Sequence, residues 1–337
     1  MSDGPTVMIA GAGVLGLTTA LALADAGCSV TVSDPGGPNA SYVAAGMIAP
    51  VFEAVLDPAA RAHFDLLLSA RDLWPALAQR TGIALDRCGA VAVGTDRWLE
   101  DVVTGFRALG VTSTEMSGDT AVALAPGLAM EGPRAVMTRD DWHLDAPLSL
   151  EALRNAASAA GVTFERGRVR EGHPADLLVL ATGGEPNALA PELARLTPIK
   201  GQIVRIAAPT SGAVIRGDGV YVTPGAATAF GATMEPGHSD TTVEAAQTRP
   251  LLEAGLRLFP GLASLPVEAS AGVRAATPDG LPMVGPSARP GILLAVGARR
   301  NGWLLAPLVA QIITAHVTGR DPAPYAARLD PARFKEG

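Results

Sequence analysis

The chain opens on an apolar stretch, residues 6–11 (TVMIAG), that runs directly into Gly11-Ala12-Gly13-Val14-Leu15-Gly16. A buried strand, then G-x-G-x-x-G, then a helix over about 14–26 is the arrangement that cradles a dinucleotide. Each glycine has a physical reason. Gly11 allows the tight turn, Gly13 lets a pyrophosphate approach the backbone, and Gly16 lets the helix pack closely on the strand. The first turn, with Val14 and Leu15, aims the positive end of that helix at the phosphates. A second strand over 28–33 ends at Asp34, 18 residues beyond Gly16. A carboxylate there accepts hydrogen bonds from ribose hydroxyls and repels a 2′-phosphate, which favours an FAD or NAD adenosine over NADP.

The remainder of the composition narrows the class. At 337 residues the chain is long enough for two domains. Hydrophobic residues make up 48% and charged ones 18%, the balance of a packed soluble protein rather than a disordered one. A net charge of −7, with no basic run to offset it, argues against a nucleic-acid surface. Cys28 and Cys88 form neither a metal spacing nor a disulfide framework, so a cytoplasmic location is expected. The apolar N-terminus lacks a basic leader region and its glycines already have a use, so it reads as mature structure. No apolar run approaches the roughly 18 residues that suggest a membrane span. The five histidines, His63, His143, His173, His238 and His316, have no ligand spacing, and no metal site is expected.

Further along, helix and strand signals alternate. Helical spacing covers 57–81, and helices are expected over 96–109 and 149–160, with Asp96 and Ser149 as capping residues. Strands are expected over 90–94, 162–168 and 176–181, the last ending in Thr182-Gly183-Gly184 and suiting a parallel sheet edge where backbone approaches a cofactor. From Pro198 the strands come at short intervals, over 201–206, 219–223, 228–233 and 267–275, an antiparallel pattern interrupted by a helix near 242–258. A strand over 291–296 and a helix over about 302–318 close the chain. The fold expected is α/β, a Rossmann-like FAD-binding domain interleaved with an antiparallel-sheet substrate domain. The first takes residues 1–80, 145–197 and 272–330, the second 83–144 and 198–271.

That interleaving, with four particular segments, resembles the D-amino acid oxidase superfamily of flavoenzymes and, within it, the glycine oxidase family associated with thiamine biosynthesis. The segments are the fingerprint with Asp34 and Ala44-Ala45-Gly46-Met47-Ile48-Ala49-Pro50, then Ala181-Thr182-Gly183, then Lys200-Gly201-Gln202 with Tyr221-Val222-Thr223-Pro224 and Gly231-Ala232-Thr233-Met234-Glu235-Pro236-Gly237. The fourth joins Gly272-Val273-Arg274, Thr277-Pro278-Asp279-Gly280-Leu281-Pro282 and Gly297-Ala298-Arg299-Arg300-Asn301-Gly302. Together they span nearly the whole chain, and the Gly-Ala-Thr-Met and Arg-Asn-Gly strings are more specific than the fingerprint. There are departures. The usual acid after the second strand is glutamate followed by a basic residue; here Pro35 follows Asp34, so a flanking basic contact is missing. Of the hydroxyl residues that often face the pyrophosphate only Ser41 remains. Neither cysteine lies where some relatives attach flavin, so the FAD is expected to be non-covalent.

Amine oxidation by a flavin needs an amino acid held by its carboxylate, a neutral amine and Cα placed at flavin N5. No protein nucleophile is required, because the cofactor performs the hydride chemistry. The resemblance implies Arg274 as the carboxylate clamp, whose guanidinium fork suits a carboxylate. It implies Tyr221 as a phenolic partner to the same carboxylate, and Arg300 at the substrate mouth, one of Arg299 and Arg300 being expected to face solvent. Cofactor contacts fall on Gly11, Gly13, Val14, Leu15, Gly16, Asp34, Ser41, Ala45, Gly46, Met47, Val169, Thr182, Gly183, Arg300, Asn301, Gly302 and Trp303. Val169 would serve through its backbone. Asn301 and Gly302 begin the last helix and would direct N–H groups at the flavin N1/C2=O edge, although Asn also suits an ordinary cap. Met47 and Met234 would line the pocket or fill core.

The activity implied is oxidative deamination of glycine or another small amino acid, giving an imine, then glyoxylate, ammonia and hydrogen peroxide, or feeding thiazole assembly for thiamine. Oxygen is the expected acceptor, with a quinone as the alternative. Sarcosine or a D-amino acid is the competing substrate, since one methylene discriminates by only about 1–3 kcal/mol. An NAD-dependent dehydrogenase would explain the fingerprint but not the Arg274 and Asn301 segments. An RNA-modifying role conflicts with the negative charge. A homo-oligomer is compatible with the sequence.

Overall fold

The computed structural model describes residues 4–37, 39–130, 132–184, 188–322 and 324–334. Two large sheets organise it. The first has six strands, in spatial order Met283–Pro286, Ile292–Val296, Leu177–Leu180, Thr6–Ala10, Ser29–Asp34 and Thr163–Arg166. All neighbours run parallel except the pair at the Met283–Pro286 edge. Val7, Ile9, Leu178, Val179 and Leu180 of Thr6–Ala10 and Leu177–Leu180 are buried, on both faces of the sheet, as interior strands of a parallel sheet require. The helices Val14–Asp25 and Gly302–Thr318 pack together in one core with Val7, Ile9 and Val179. Chain order reverses at Thr6–Ala10, with Ser29–Asp34 on one side and Leu177–Leu180 on the other. The fingerprint turn therefore sits at a topological switch point, where open α/β sheets bind ligands.

The second sheet is laid out as Glu235–Pro236, Thr197–Ile206, Thr228–Gly231, Val220–Thr223, Val214–Gly217, Ala90–Ala92, Arg134–Thr138 and Thr114–Ser117, with Val267–Ala276 also on Thr197–Ile206. Those two long strands pair continuously from Thr197 opposite Ala276 to Ile206 opposite Val267. Every pair is antiparallel except Val214–Gly217 with Ala90–Ala92. That parallel pair joins distant parts of the chain, which is what a parallel pairing needs. The helix Ala245–Leu258 covers one face, and the Phe230 ring fills the place a side chain at Gly255 would take. A two-stranded ribbon, Met47–Ile48 with Trp142–His143, stands apart.

Several local expectations change. The helical pattern over 57–81 divides into Pro58–Arg61, Phe64–Asp72 and Trp74–Thr81. Pro75 has no N–H to continue the preceding helix and its ring would meet the carbonyl four residues back. Thr95 rather than Asp96 caps the helix Asp96–Ala108, accepting from Trp98 N. Asp145 rather than Ser149 caps Ala146–Ala159, so that helix starts a turn earlier. Leu177–Leu180 lies inside the sheet and not at its edge, hydrogen-bonded on both sides.

Candidate functional site: two cavities joined by the glycine turn

The fingerprint glycines are tightly used. A Cβ on Gly16 would collide with the Gly11 carbonyl, and one on Gly11, at φ +108°, would press on the Ala181 carbonyl. A Cβ on Gly13 would meet only the Ser41 hydroxyl, at 3.2 Å, so that face is open. Ser41 Oγ accepts from Val14 N at 3.0 Å, and Trp303 Nε1 donates to the Ser41 carbonyl at 3.0 Å. Beside the turn, Thr182 Oγ1 is buried without a hydrogen-bond partner, and Gly183 has φ +63°. Leu15 and Gly16 occupy the first turn of the helix, with Gly13 at its N-cap contributing no side chain.

On one side of this turn a cavity is bordered by Asp34, Gly36, Gly37, Arg154, Phe164, Glu165 and Arg166. Asp34 accepts Ala12 N through one oxygen and Gly36 N through the other, both at 2.7 Å. Arg166 donates to the Pro35 carbonyl at 3.3 Å, and Arg154 lies 4.1 Å above the Phe164 ring. Basic residues from a distant helix and strand thus flank Asp34, where the local sequence had none. Val169 lies beyond the strand, which stops at Arg166, and its side chain packs against the buried Met8 and Leu178 cluster.

On the other side lies a second cavity. Ala45, Gly46, Met47, Arg300, Asn301 and Trp303 border it, as do Tyr221 and Arg274 from the other sheet and Met234 from the loop between two of its strands. Gly302 sits against Val14, closing the wall between helix and fingerprint. Arg274 crosses over Gly201, whose missing side chain leaves its path clear, and donates to the Thr233 carbonyl at 3.3 Å and Met234 Sδ at 3.1 Å. Burial lowers its pKa, and Tyr221 opposes that shift. The specific strings build this platform. Gln202 N donates to Thr233 Oγ1 at 2.8 Å, Gln202 Nε2 to Glu235 at 2.9 Å, and Thr233 Oγ1 to Glu235. Lys200 Nζ, fully buried, reaches Asp240 and Glu244 at 2.9 Å each. Tyr221 stands opposite Gly231 in the sheet, and burial raises its phenol pKa.

The arginine pair differs from expectation. Both are part-exposed and both are paired, Arg299 with Asp57, and Arg300 with Glu53 and, at 3.3 Å, Asp57, and of the two Arg300 borders the cavity. Arg299 has φ +50°, a turn that brings two neighbouring side chains to the same acid. Asn301 occupies the N-cap of the last helix, yet its side chain donates to Glu53 at 3.1 Å instead of capping, leaving the first-turn amides open. Glu53 and Asp57 come from the Pro50–Leu56 helix and its C-cap, which Asp141 anchors by accepting Val51 N at 2.7 Å and Phe52 N at 3.0 Å. Burial raises the Asp141 pKa to about 6. A further arginine, Arg216, also borders the cavity. These contacts cross long stretches of sequence, and only the acids' proximity to Pro50 hints at them.

Two cavities separated by an open-backed glycine turn fit an extended dinucleotide, with Asp34 at one end and Met47, Asn301 and Trp303 at the other. The unpartnered Thr182 hydroxyl and the open face of Gly13 lie between. Residues 6–316 match the family described as FAD dependent oxidoreductase (DAO). The chain is 30% identical to a glycine oxidase of Pseudomonas aeruginosa, covering 95% of this chain and 98% of that protein. It is 30% identical to the bifunctional protein ThiO/ThiG of Trichormus variabilis over 98% of its own length, and spans 55% of that longer protein. The crystal structure of glycine oxidase from Geobacillus kaustophilus superposes with a TM-score of 0.81 at 27% identity, covering 98% of this chain and all of that one.

Proposed function

The chain belongs to the DAO family of FAD-dependent oxidoreductases, and from that premise we propose that it oxidises glycine or another small amino acid. The observation that carries this is Arg274, a part-buried guanidinium that borders the cavity beside Tyr221 and is bonded to neutral atoms only. Arg274 holds the substrate carboxylate and Tyr221 donates a second hydrogen bond to it. Holding the amino acid in one orientation is the main contribution of the protein to the barrier. FAD, when bound there, would supply the two-electron oxidant for the Cα–N bond. The first-turn amides from Gly302 onward offer positive dipole to negative charge at that end of the cofactor, while Asn301 N donates to the Ala298 carbonyl at 2.8 Å. At the other end, Asp34 with Arg154 and Arg166 takes the adenosine, and the Gly11–Gly16 turn with Ser41 and Thr182 takes the pyrophosphate. No cysteine is positioned to bond the flavin, so it is held non-covalently; both cysteines are free.

Loss of a hydride and a proton turns the amino acid into its imine, and water hydrolyses the glycine imine to glyoxylate and ammonia. Oxygen is the acceptor proposed, so that one amino acid, one water and one oxygen give one oxo acid, one ammonia and one hydrogen peroxide. The similarity to ThiO/ThiG supports supply of the imine to thiamine thiazole formation. Among the described residues no helix is long and apolar enough to cross a membrane, and a cytoplasmic enzyme is the reading adopted. Sarcosine and small D-amino acids are the competing substrates. Peroxide release measured with glycine, sarcosine and D-alanine ranks them, and the same assay in a quinone-coupled format identifies the acceptor. No peroxide and no quinone reduction with any of the three would remove this reading.

A further inference from the structure

We propose that the cavity recognises a second carboxylate on its substrate, and that Arg216 is the residue that binds it. The inference rests on the amino-acid oxidation put forward above and names the class of amino acid concerned.

Arg216 stands directly opposite Tyr221 in the sheet and borders the same cavity as Arg274. It is 7% exposed. Its guanidinium lies 5.1 Å over the Phe52 ring and 5.7 Å from the Tyr221 ring centroid. Its Nε is buried with no hydrogen-bond partner, and among the described residues no carboxylate oxygen lies within 4.0 Å of its nitrogens. Asp141 attracts it through space, but both Asp141 oxygens are engaged by backbone N–H groups. The other two arginines of the cavity differ. Arg300 is matched by Glu53 and Asp57, and Arg274 is matched by the substrate carboxylate in the proposed complex. Among the described residues Glu53 is the one acid on the cavity wall, and Arg300 and Asn301 already take it. A glycine on Arg274 therefore leaves one buried guanidinium with no carboxylate in direct contact, Asp141 and Glu53 acting on it only at a distance. A buried charge is tolerated when it is paired, and a guanidinium fork selects a carboxylate. The second carboxylate comes from one of two places, the side chain of a D-amino acid or a carboxymethyl group on the nitrogen.

Two substrate pairs that differ by this one group test it on the FAD-loaded enzyme: D-alanine with D-aspartate, and sarcosine with iminodiacetate. The expected result is a kcat/KM at least about tenfold higher for the dicarboxylate of one pair, which also identifies the source. Malonate or succinate should perturb the flavin spectrum at about tenfold lower concentration than acetate, a reading that needs no turnover. Arg216→Leu should collapse the ratio within the favoured pair towards one, and Arg216→Lys should keep part of it. The comparison of pairs uses unaltered protein, so a variant that fails to fold does not spoil the test. Turnover of D-alanine or sarcosine with no advantage for either dicarboxylate would overturn the proposal and leave amine oxidation standing. An enzyme that oxidises glycine but none of the four would also overturn the proposal and leave amine oxidation standing, whereas one that oxidises neither glycine nor any of the four would refute amine oxidation, and this inference with it.

Discussion

Arg274 reaches the cavity from the interior of a ten-residue strand, and the glycine opposite its path is what admits so long a side chain. Arg274→Ala should leave the flavin bound and lower kcat/KM for the amino acid about 10²–10³-fold, since a buried charge pair is lost. Arg274→Lys should recover little, because a point charge cannot replace the fork. Unchanged kinetics in either variant would remove Arg274 from the site. Tyr221→Phe should raise KM by up to about tenfold, the scale of one hydrogen bond. Asp141 makes a different prediction. Burial lifts its pKa from 3.8 to about 6 in the folded protein. Between those values the native state holds a proton that the unfolded chain has released, so this group makes stability fall as pH rises from about 4 to about 6. Asp141→Asn removes that slope, so the variant should gain on the parent by up to about 3 kcal/mol across the window. Denaturant titrations at several pH values measure the difference; a flat one would mean that the carboxylate stays ionised. Arg274 was legible in the sequence as a charge inside an apolar run. Arg216, in Ala213-Val214-Ile215-Arg216, carries the same signal, but its meaning depends on which cavity the strand borders.

At the scale of elements, the fingerprint separates packing from binding. Gly16→Ala places a methyl against the Gly11 carbonyl and should destabilise the whole fold, whereas a Cβ at Gly13 meets only the Ser41 hydroxyl. Gly13→Val should therefore fold, with a Tm near that of the flavin-stripped parent, yet purify without flavin; retained flavin would mean that the turn does not hold the pyrophosphate. This strand–turn–helix unit was readable because each glycine answers a local backbone demand. The Pro50–Leu56 helix was not. Glu53 and Asp57 gain their role from contacts with Arg299 and Arg300, more than 200 residues away in the chain. Caps were misplaced by one to four residues, since Thr95 and Asp96 both suit an N-cap, and only the backbone decides between them.

Across the molecule, residues from both ends and the middle of the chain meet at one slot, which is why the interleaved pattern of sheets could be read while the boundaries remain a proposal. The cofactor would contact pieces as far apart as Asp34, Thr182 and Trp303. Binding should then stabilise the native state as a unit, by about 2.7 kcal/mol when free FAD is a hundredfold above its Kd. Stripping the flavin should lower the Tm, and adding FAD, but not NAD, should restore it. The most direct test of the whole account is an anaerobic visible spectrum of the purified protein before and after the addition of a small amino acid. Flavin bands that bleach with glycine, sarcosine, D-alanine or their dicarboxylate counterparts are the predicted result. A colourless protein that takes up no FAD, or a bound flavin that no amino acid reduces, would contradict it.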